Sequence, residues 1–211
     1  MAEYRAVKNR CAVDLAALGV PLPKEGVIIS LAAKGFRIVA VDVVALARAR
    51  VGIATYRRGA RVSEAPEVVD CSSFVKWLYG ERGIWLPRRS IQQRELGAQI
   101  ALPDLMAGDL VFRSGSIDYY LTDPADGIGH VGLATGEGTV IHAANRTLGV
   151  VESPLAAFAA GGAFRGARRL IPAHREVLTF LTPPEREVET SDDVRWIVLQ
   201  SLTGALQSCR A

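Results

Sequence analysis

Cysteine, histidine and aromatic residues are all scarce in this chain. Its 211 residues include three Cys and three His, and aromatics make up only 7%. The cysteines, Cys11, Cys71 and Cys209, are odd in number and widely spread. No disulfide framework can be read from them, and no Cys-x-x-Cys pair offers a structural zinc site. An excess of one charge is also missing. Lys and Arg total 25 against 22 Asp and Glu, a net charge of +3, with no long basic run carrying interleaved aromatics. A nucleic-acid surface is therefore not indicated. Long apolar runs are absent too. The longest, over residues 38–47, is broken by Asp42 and is too short to cross a bilayer. The start, Met1-Ala2-Glu3-Tyr4-Arg5, leads into charged residues, so no signal peptide is visible and the chain reads as soluble and made in the cytoplasm. No internal repeat is visible either.

What is present is a core-forming composition. Hydrophobic residues make up 49%, enough for one well-buried domain with appendages. The most informative stretch is Val69-Asp70-Cys71-Ser72-Ser73-Phe74-Val75-Lys76-Trp77-Leu78. Asp70 is a good N-cap, and Phe74, Val75 and Leu78 follow at helical spacing. Gly80 and Gly83 act as stop signals. A thiol in the first turn meets the positive end of the helix dipole and unpaired amides, which favour the thiolate. A free Cys of pKa about 8.5 can fall to roughly 3.5–7.5 in such a place.

Residues 2–18 can be helical, ended by Gly19-Val20-Pro21. Residues 26–33 are ambiguous between helix and strand. Residues 36–41 read as a strand, and Asp42 then caps a helix closed by Gly52. Ser90 is placed to cap a short helix running to Gly97. Leu110-Val111-Phe112 reads as a strand, and residues 114–129 as a polar loop carrying Tyr119 and Tyr120. Residues 164–171 form a closing strand. A polar linker at 182–187 leads to a helix capped by Ser191, with Val194, Ile197, Val198, Leu202 and Leu206 on its apolar side. That helix is expected to pack on the domain or to mediate self-association.

Two strands, Gly129-His130-Val131-Gly132-Leu133-Ala134 and Thr139-Val140-Ile141-His142-Ala143, flank Gly136-Glu137-Gly138. A three-residue loop sets Thr135 opposite Thr139 and His142 opposite Gly132. Both histidines then share one sheet face as diagonal neighbours, with Cα atoms roughly 7–8 Å apart. A two-residue loop would put them on opposite faces. Gly132, Ala134 and Ala144 share the histidine face and leave room beside it.

A Cys at a helix start and two His on one face are the parts of a thiol nucleophile site. The thiolate attacks a carbonyl carbon, one imidazole carries the proton, and a second group orients that imidazole. Blander readings stand beside this one: a small core Cys and satisfied structural histidines. A Cys-His-His metal site is weaker, because no carboxylate or second Cys sits at ligand spacing. His174 reads as a surface residue, and Cys11 and Cys209 as structural or exposed thiols. Arg57, Arg58, Arg88 and Arg89 could bind a carboxylate-rich peptide or be solvated charge.

The ordered set Asp70-Cys71-Ser72-Ser73-Phe74-Val75, Leu86-Pro87-Arg88 with Gln92 or Gln93, Gly108-Asp109-Leu110-Val111-Phe112, Gly129-His130-Val131-Gly132, Ile141-His142-Ala143 and Gly166-Ala167-Arg168-Arg169 resembles the NlpC-type cell-wall cysteine peptidases. The resemblance covers about residues 41–171. It implies a papain-like α+β fold, a central antiparallel sheet packed against a helix that carries the nucleophilic Cys at its N-terminus. Taken with the pass along the chain, this gives a peptidase domain at 38–172, an accessory segment at 1–37, and a linker and helix at 173–211. Cys71 is the implied nucleophile, His130 the base and His142 the orienting member. Tyr56, Ser72 and Arg88 are the implied substrate contacts. The implied partner is a peptidoglycan stem peptide or muropeptide, cut at the γ-D-glutamyl–diamino acid bond, with no cofactor and no metal. Action at the wall then requires export or a leader already removed. The same triad also serves other amidases and acyltransferases, and the same fold can serve as a non-catalytic peptide- or glycan-binding module. Three departures from the family stand out. Ser73 replaces the usual Gly, Tyr56-Arg57-Arg58-Gly59 replaces an aromatic-Gly-Gly run, and the loop at 114–128 is long.

Overall fold

The computed structural model describes residues 4–208, with side chains through Leu202. Cys209 lies outside the described residues, and the Leu206 side chain lies outside the described side chains. In chain order the strands are β1 (Arg10–Asp14), β2 (Arg37–Val39), β3 (Thr55–Tyr56), β4 (Val68–Val69), β5 (Ala98–Ile100), β6 (Leu110–Arg113), β7 (His130–Ala134), β8 (Thr139–Asn145), β9 (Gly149–Pro154), β10 (Phe164–Arg169) and β11 (Val177–Leu181). The helices are α1 (Lys24–Ala32), α2 (Val43–Arg48), α3 (Cys71–Glu81), α4 (Ser90–Gln93), α5 (Leu155–Phe158) and α6 (Ser191–Ser208). The chain divides into two compact units. One gathers Met1–Val41, Gly80–Trp85 and Ala173–Ala211, and the other gathers Asp42–Tyr79 and Leu86–Pro172.

In the first unit β1, β11 and β2 form an antiparallel sheet in that order. The helix expected over residues 2–18 is thus not formed by the described residues 4–14. Arg10–Asp14 is a strand, because its run Cys11-Ala12-Val13 is fully buried and bonds along Val177–Leu181. Tertiary pairing overrides the local propensity. The ambiguous segment at 26–33 is helical, as α1. Val27 and Leu31 of α1 share a core with Val13, Phe36, Phe180, Val194 and Val198. Val194 and Val198 belong to α6, and Ile197 packs against the same core. Its cap is Thr190, not Ser191. The Thr190 hydroxyl accepts from the Asp192 amide at 3.2 Å, and the Asp193 carboxylate accepts from the Thr190 amide at 2.9 Å. The Ser191 hydroxyl instead accepts from the Tyr4 amide.

The second unit holds a six-stranded antiparallel sheet in the order β5-β10-β6-β7-β8-β9. Asp42 caps α2 through the Val44 and Ala45 amides, as its position predicts. The β7–β8 loop has three residues, with the Thr135 amide bonded to the Thr139 carbonyl and Ala134 opposite Val140. That register sets the parity of the two histidines. Two family-like fragments are structural. Arg169 grips Asp109 through Nε at 2.9 Å and Nη2 at 2.7 Å, and Asp109 also accepts from the Met106 amide. This pair ties β10 to the turn that feeds β6. Ser90 opens α4 but does not cap it, since Arg89 holds that position, and the helix ends at Gln93 instead of running on to Gly97.

Candidate active site

Position and capping fix the cysteine first. The short parallel pair β3–β4 sets Tyr56 opposite Val69, so Tyr56 and the start of α3 emerge from the same edge. Asp70 then begins α3. Its Oδ1 accepts from the Ser73 amide at 2.8 Å, while the Ser73 hydroxyl accepts from the Asp70 amide at 2.8 Å. Ser73 is fully buried, and its hydroxyl completes this reciprocal cap. Phe74, Val75 and Leu78 are fully buried and anchor the helix. Burying those three side chains contributes roughly 1.5–3 kcal/mol each.

Arg88 locks the carboxylate side of this start. Its Nη1 donates to Asp70 Oδ1 at 3.0 Å and to the Ser72 hydroxyl at 2.9 Å. Its Nη2 donates to Asp70 Oδ2 at 2.5 Å and to the Ala60 carbonyl at 2.7 Å. Burial opposes the charge on Asp70, but the bonds from Arg88 and Ser73 outweigh it and hold the carboxyl below its usual range. Arg88 and Ser72 line the cleft, yet their polar atoms already serve this network. Gln93 supports it from behind, its amide donating to the Ser72 and Pro87 carbonyls.

The sulfur of Cys71 lies against β7. It is 4.0 Å from the carbonyl of Gly129, the residue before His130, and the amide of Val131, the residue after it, favours the thiolate. His130 Nε2 is 2.8 Å from His142 Nδ1, and His142 Nε2 is 3.1 Å from the Ser153 hydroxyl. With Nε2 engaged, Nδ1 is the nitrogen left to His130 for a thiol proton. A close approach keeps this face clear: a Cβ on Gly132 would lie 2.3 Å from Val140 Cγ1 and 3.2 Å from His142 Cβ.

Ser153 and Phe158 escape the sequence reading. Ser153 sits on β9 and Phe158 at the end of α5, and neither element is expected from the sequence. The β-branched run Val150-Val151 after the turn at Gly149 is the signal that could have found β9. The Phe158 ring lies 5.6 Å from His130 and 5.0 Å from His142, centre to centre, with the Arg113 guanidinium 5.4 Å from its own centre.

The electrostatics reverse one expectation. Burial, then the Asp70 charge, push the Cys71 thiol up to about 11, against the lowering effect of the Val131 and Ser72 amides and of Arg88. Desolvation outweighs the helix start. Burial, the His142 ring and the Arg113 charge hold His130 down to about 3, while burial and Arg113 hold His142 down to about 4. The resting site holds a neutral thiol and two neutral imidazoles.

These shifts predict a pH dependence of stability. Both histidines titrate near 6.5 when unfolded and far lower when folded. Below about 6.5 the unfolded chain therefore binds more protons, and stability falls with pH until the folded pKa values are passed. Urea unfolding is expected to show a steady loss between pH 6.5 and pH 4.5, and His130→Gln should flatten that slope. An equal slope in the variant would refute the assignment.

The remaining sequence candidates are dispersed. Arg57 pairs with Glu64. Arg58 and Arg89 line the cleft with Tyr56, Cys71 and Tyr119. Cys11 is buried in the first unit and pushed up to about 12 by burial and by the Asp193 charge. His174 is exposed. Among the described residues no group of three or more His, Cys, Asp or Glu could hold a metal ion, and no helix is long and apolar enough to cross a membrane.

Comparison with known proteins adds the lineage. A model of the NlpC/P60 family matches residues 54–168. A protein named probable endopeptidase from Corynebacterium glutamicum is 37% identical over 114 residues, covering 54% of this chain and 47% of the relative. The murein DD-endopeptidase MepS/murein LD-carboxypeptidase of Escherichia coli K12 is 32% identical over 100 residues, 46% of each chain. The chain thus spans about half the length of the curated relatives it matches. The crystal structure of an NlpC/P60 family protein from Bacillus cereus superposes with a TM-score of 0.54 at 26% identity, covering 64% of this chain and 42% of that one. The fold is accordingly papain-like α+β. Because the family match takes in more than half of its length, from residue 54 to residue 168, this chain belongs to the NlpC/P60 family.

Proposed function

We propose that this chain is a cysteine peptidase that cuts the peptide bridges of bacterial peptidoglycan, at the bond between γ-D-glutamate and a diamino acid. The observation that carries the reading is the seat of the Cys71 sulfur 4.0 Å from the carbonyl of Gly129, one residue before His130, with His130 in turn bonded to His142. In this reading the substrate's γ-carbonyl enters beside the sulfur. His130 Nδ1 takes the thiol proton as the carbon–sulfur bond forms, and His142 holds the charged ring through Nε2. Amides at the start of α3 face the oxyanion. The His130 proton then goes to the leaving amine, and water hydrolyses the thioester.

The reading is tested with the tripeptide L-Ala-γ-D-Glu-diamino acid in ¹⁸O-labelled water. The expected products by mass are a dipeptide carrying one ¹⁸O in its new carboxyl and the free diamino acid. Transfer of the dipeptide to an added amine without labelled carboxyl would instead mark an acyltransferase. An unchanged peptide would defeat both.

A further inference from the structure

The structure sorts the four arginines near the cleft into two kinds. Arg57 is paired with Glu64 and Arg88 with Asp70. Arg58 and Arg89 pair with no carboxylate among the described residues, and both line the cavity of about 390 Å³ that holds Cys71. Both are exposed. One residue, Tyr119, joins them. Its hydroxyl accepts from Arg58 Nη2 at 3.4 Å, and its ring lies 5.4 Å from the Arg89 guanidinium carbon.

Tyr119 belongs to the long loop at 114–129, which departs from the family pattern. The loop is held in shape where it matters. Tyr119 and Ile128 exchange two backbone hydrogen bonds, at 3.1 and 2.9 Å, and the Gly115 amide donates to Asp118 at 2.7 Å. It also closes against the residue next to the sulfur. A Cβ on Gly129 would lie 2.4 Å from the Ile117 carbonyl and 2.5 Å from Asp118 Oδ1. The loop is therefore a fixed wall of the cleft, and Tyr119 is presented from it to both guanidiniums.

A guanidinium over an aromatic face, as Arg89 is, keeps its donors free, while one bonded to a held hydroxyl, as Arg58 is, spends a single donor; both lose less side-chain freedom when a carboxylate arrives. A γ-linked glutamate leaves its α-carboxylate pendant, close to the scissile carbonyl. We propose that Arg58 and Arg89, braced by Tyr119, form a carboxylate subsite that selects stem peptides with this pendant group free over those in which it is a carboxamide. The proposal rests on the peptidase reading for the identity of the ligand. Its chemistry, recognition of a peptide carboxylate beside Cys71, is independent of turnover.

Binding to the full-length Cys71→Ala protein separates the two. The probes are L-Ala-γ-D-Glu-diamino acid and the same peptide with the glutamate α-carboxylate converted to carboxamide, each titrated by calorimetry. The free acid is expected to bind about tenfold tighter at low salt. Adding Arg58→Gln or Arg89→Gln should erase most of that preference, added salt should narrow it, and Arg57→Gln should leave it alone. Unchanged thermal unfolding of the variants guards against misfolding. Equal affinities, no binding of either peptide, or a preference that survives both substitutions overturns the subsite. If the preference is seen while the wild-type protein cuts neither peptide, the peptidase reading falls and the subsite stands.

Discussion

Cys71→Ala is expected to lower hydrolysis of the stem peptide by at least about 10⁴-fold, because Cys71 carries the only thiol among the described residues that line the cleft. His130→Ala should cost roughly 10²–10⁴-fold, the usual share of a positioned acid–base group. The informative part is the pH profile. With the thiol pushed up to about 11 and the imidazole down to about 3, thiolate is scarce throughout the neutral range. Iodoacetamide, which reacts with thiolate, should therefore label Cys71 faster with each rise in pH from 6 to 9. A thiolate–imidazolium pair would give a flat profile over the same range. Hydrolysis needs only neutral His130, which is present well below pH 6.5. The acid limb of kcat/KM is expected near pH 3–4, and activity at pH 5.5 should match that at pH 7. An acid limb near 6.5 together with flat labelling would replace the neutral pair with an ion pair.

The parts of this site that depend on short-range rules were legible in the sequence. The Asp70 cap, the three-residue turn before Thr139 and the parity of His130 and His142 each follow from residues within a few positions of one another. What long-range pairing decides was not legible. Residues 10–14 become a strand only because 177–181 lies beside them. Ser153 and Phe158 meet the histidines because β9 and α5 return there, and no local signal says where a returning strand will lie. The thiol's charge state failed for a related reason. A helix start and its amides can be read from a sequence, but the burial that outweighs them is a property of the folded cleft. The division of the arginines belongs to the same class, since Arg88 and Arg89 are neighbours in the chain with opposite fates.

Asp70→Ala carries the largest stability effect we expect, about 3 kcal/mol of unfolding free energy. Asp70 is buried and accepts from the Gly59 amide at 3.0 Å, the Ser73 amide at 2.8 Å, the Ser72 hydroxyl at 3.3 Å and both Arg88 nitrogens. Removing it uncaps α3, which alone costs roughly 1 kcal/mol. It also leaves the Arg88 guanidinium without a counter-charge, and that is the larger part. Arg88 keeps 35% of its side chain exposed and can recover some hydration, which holds the loss at the low end of the range for a broken buried pair. Two substitutions divide the causes. Asp70→Asn keeps an oxygen for the Ser73 amide and should lose only the charge contribution. Asp70→Ala with Arg88→Met removes the stranded cation, and should regain part of what Asp70→Ala loses. Guanidinium unfolding reads all three. A single Asp70→Ala variant within about 0.5 kcal/mol of the parent protein, the ordinary range for surface changes, would mean that the Asp70–Arg88 network does not set the start of α3.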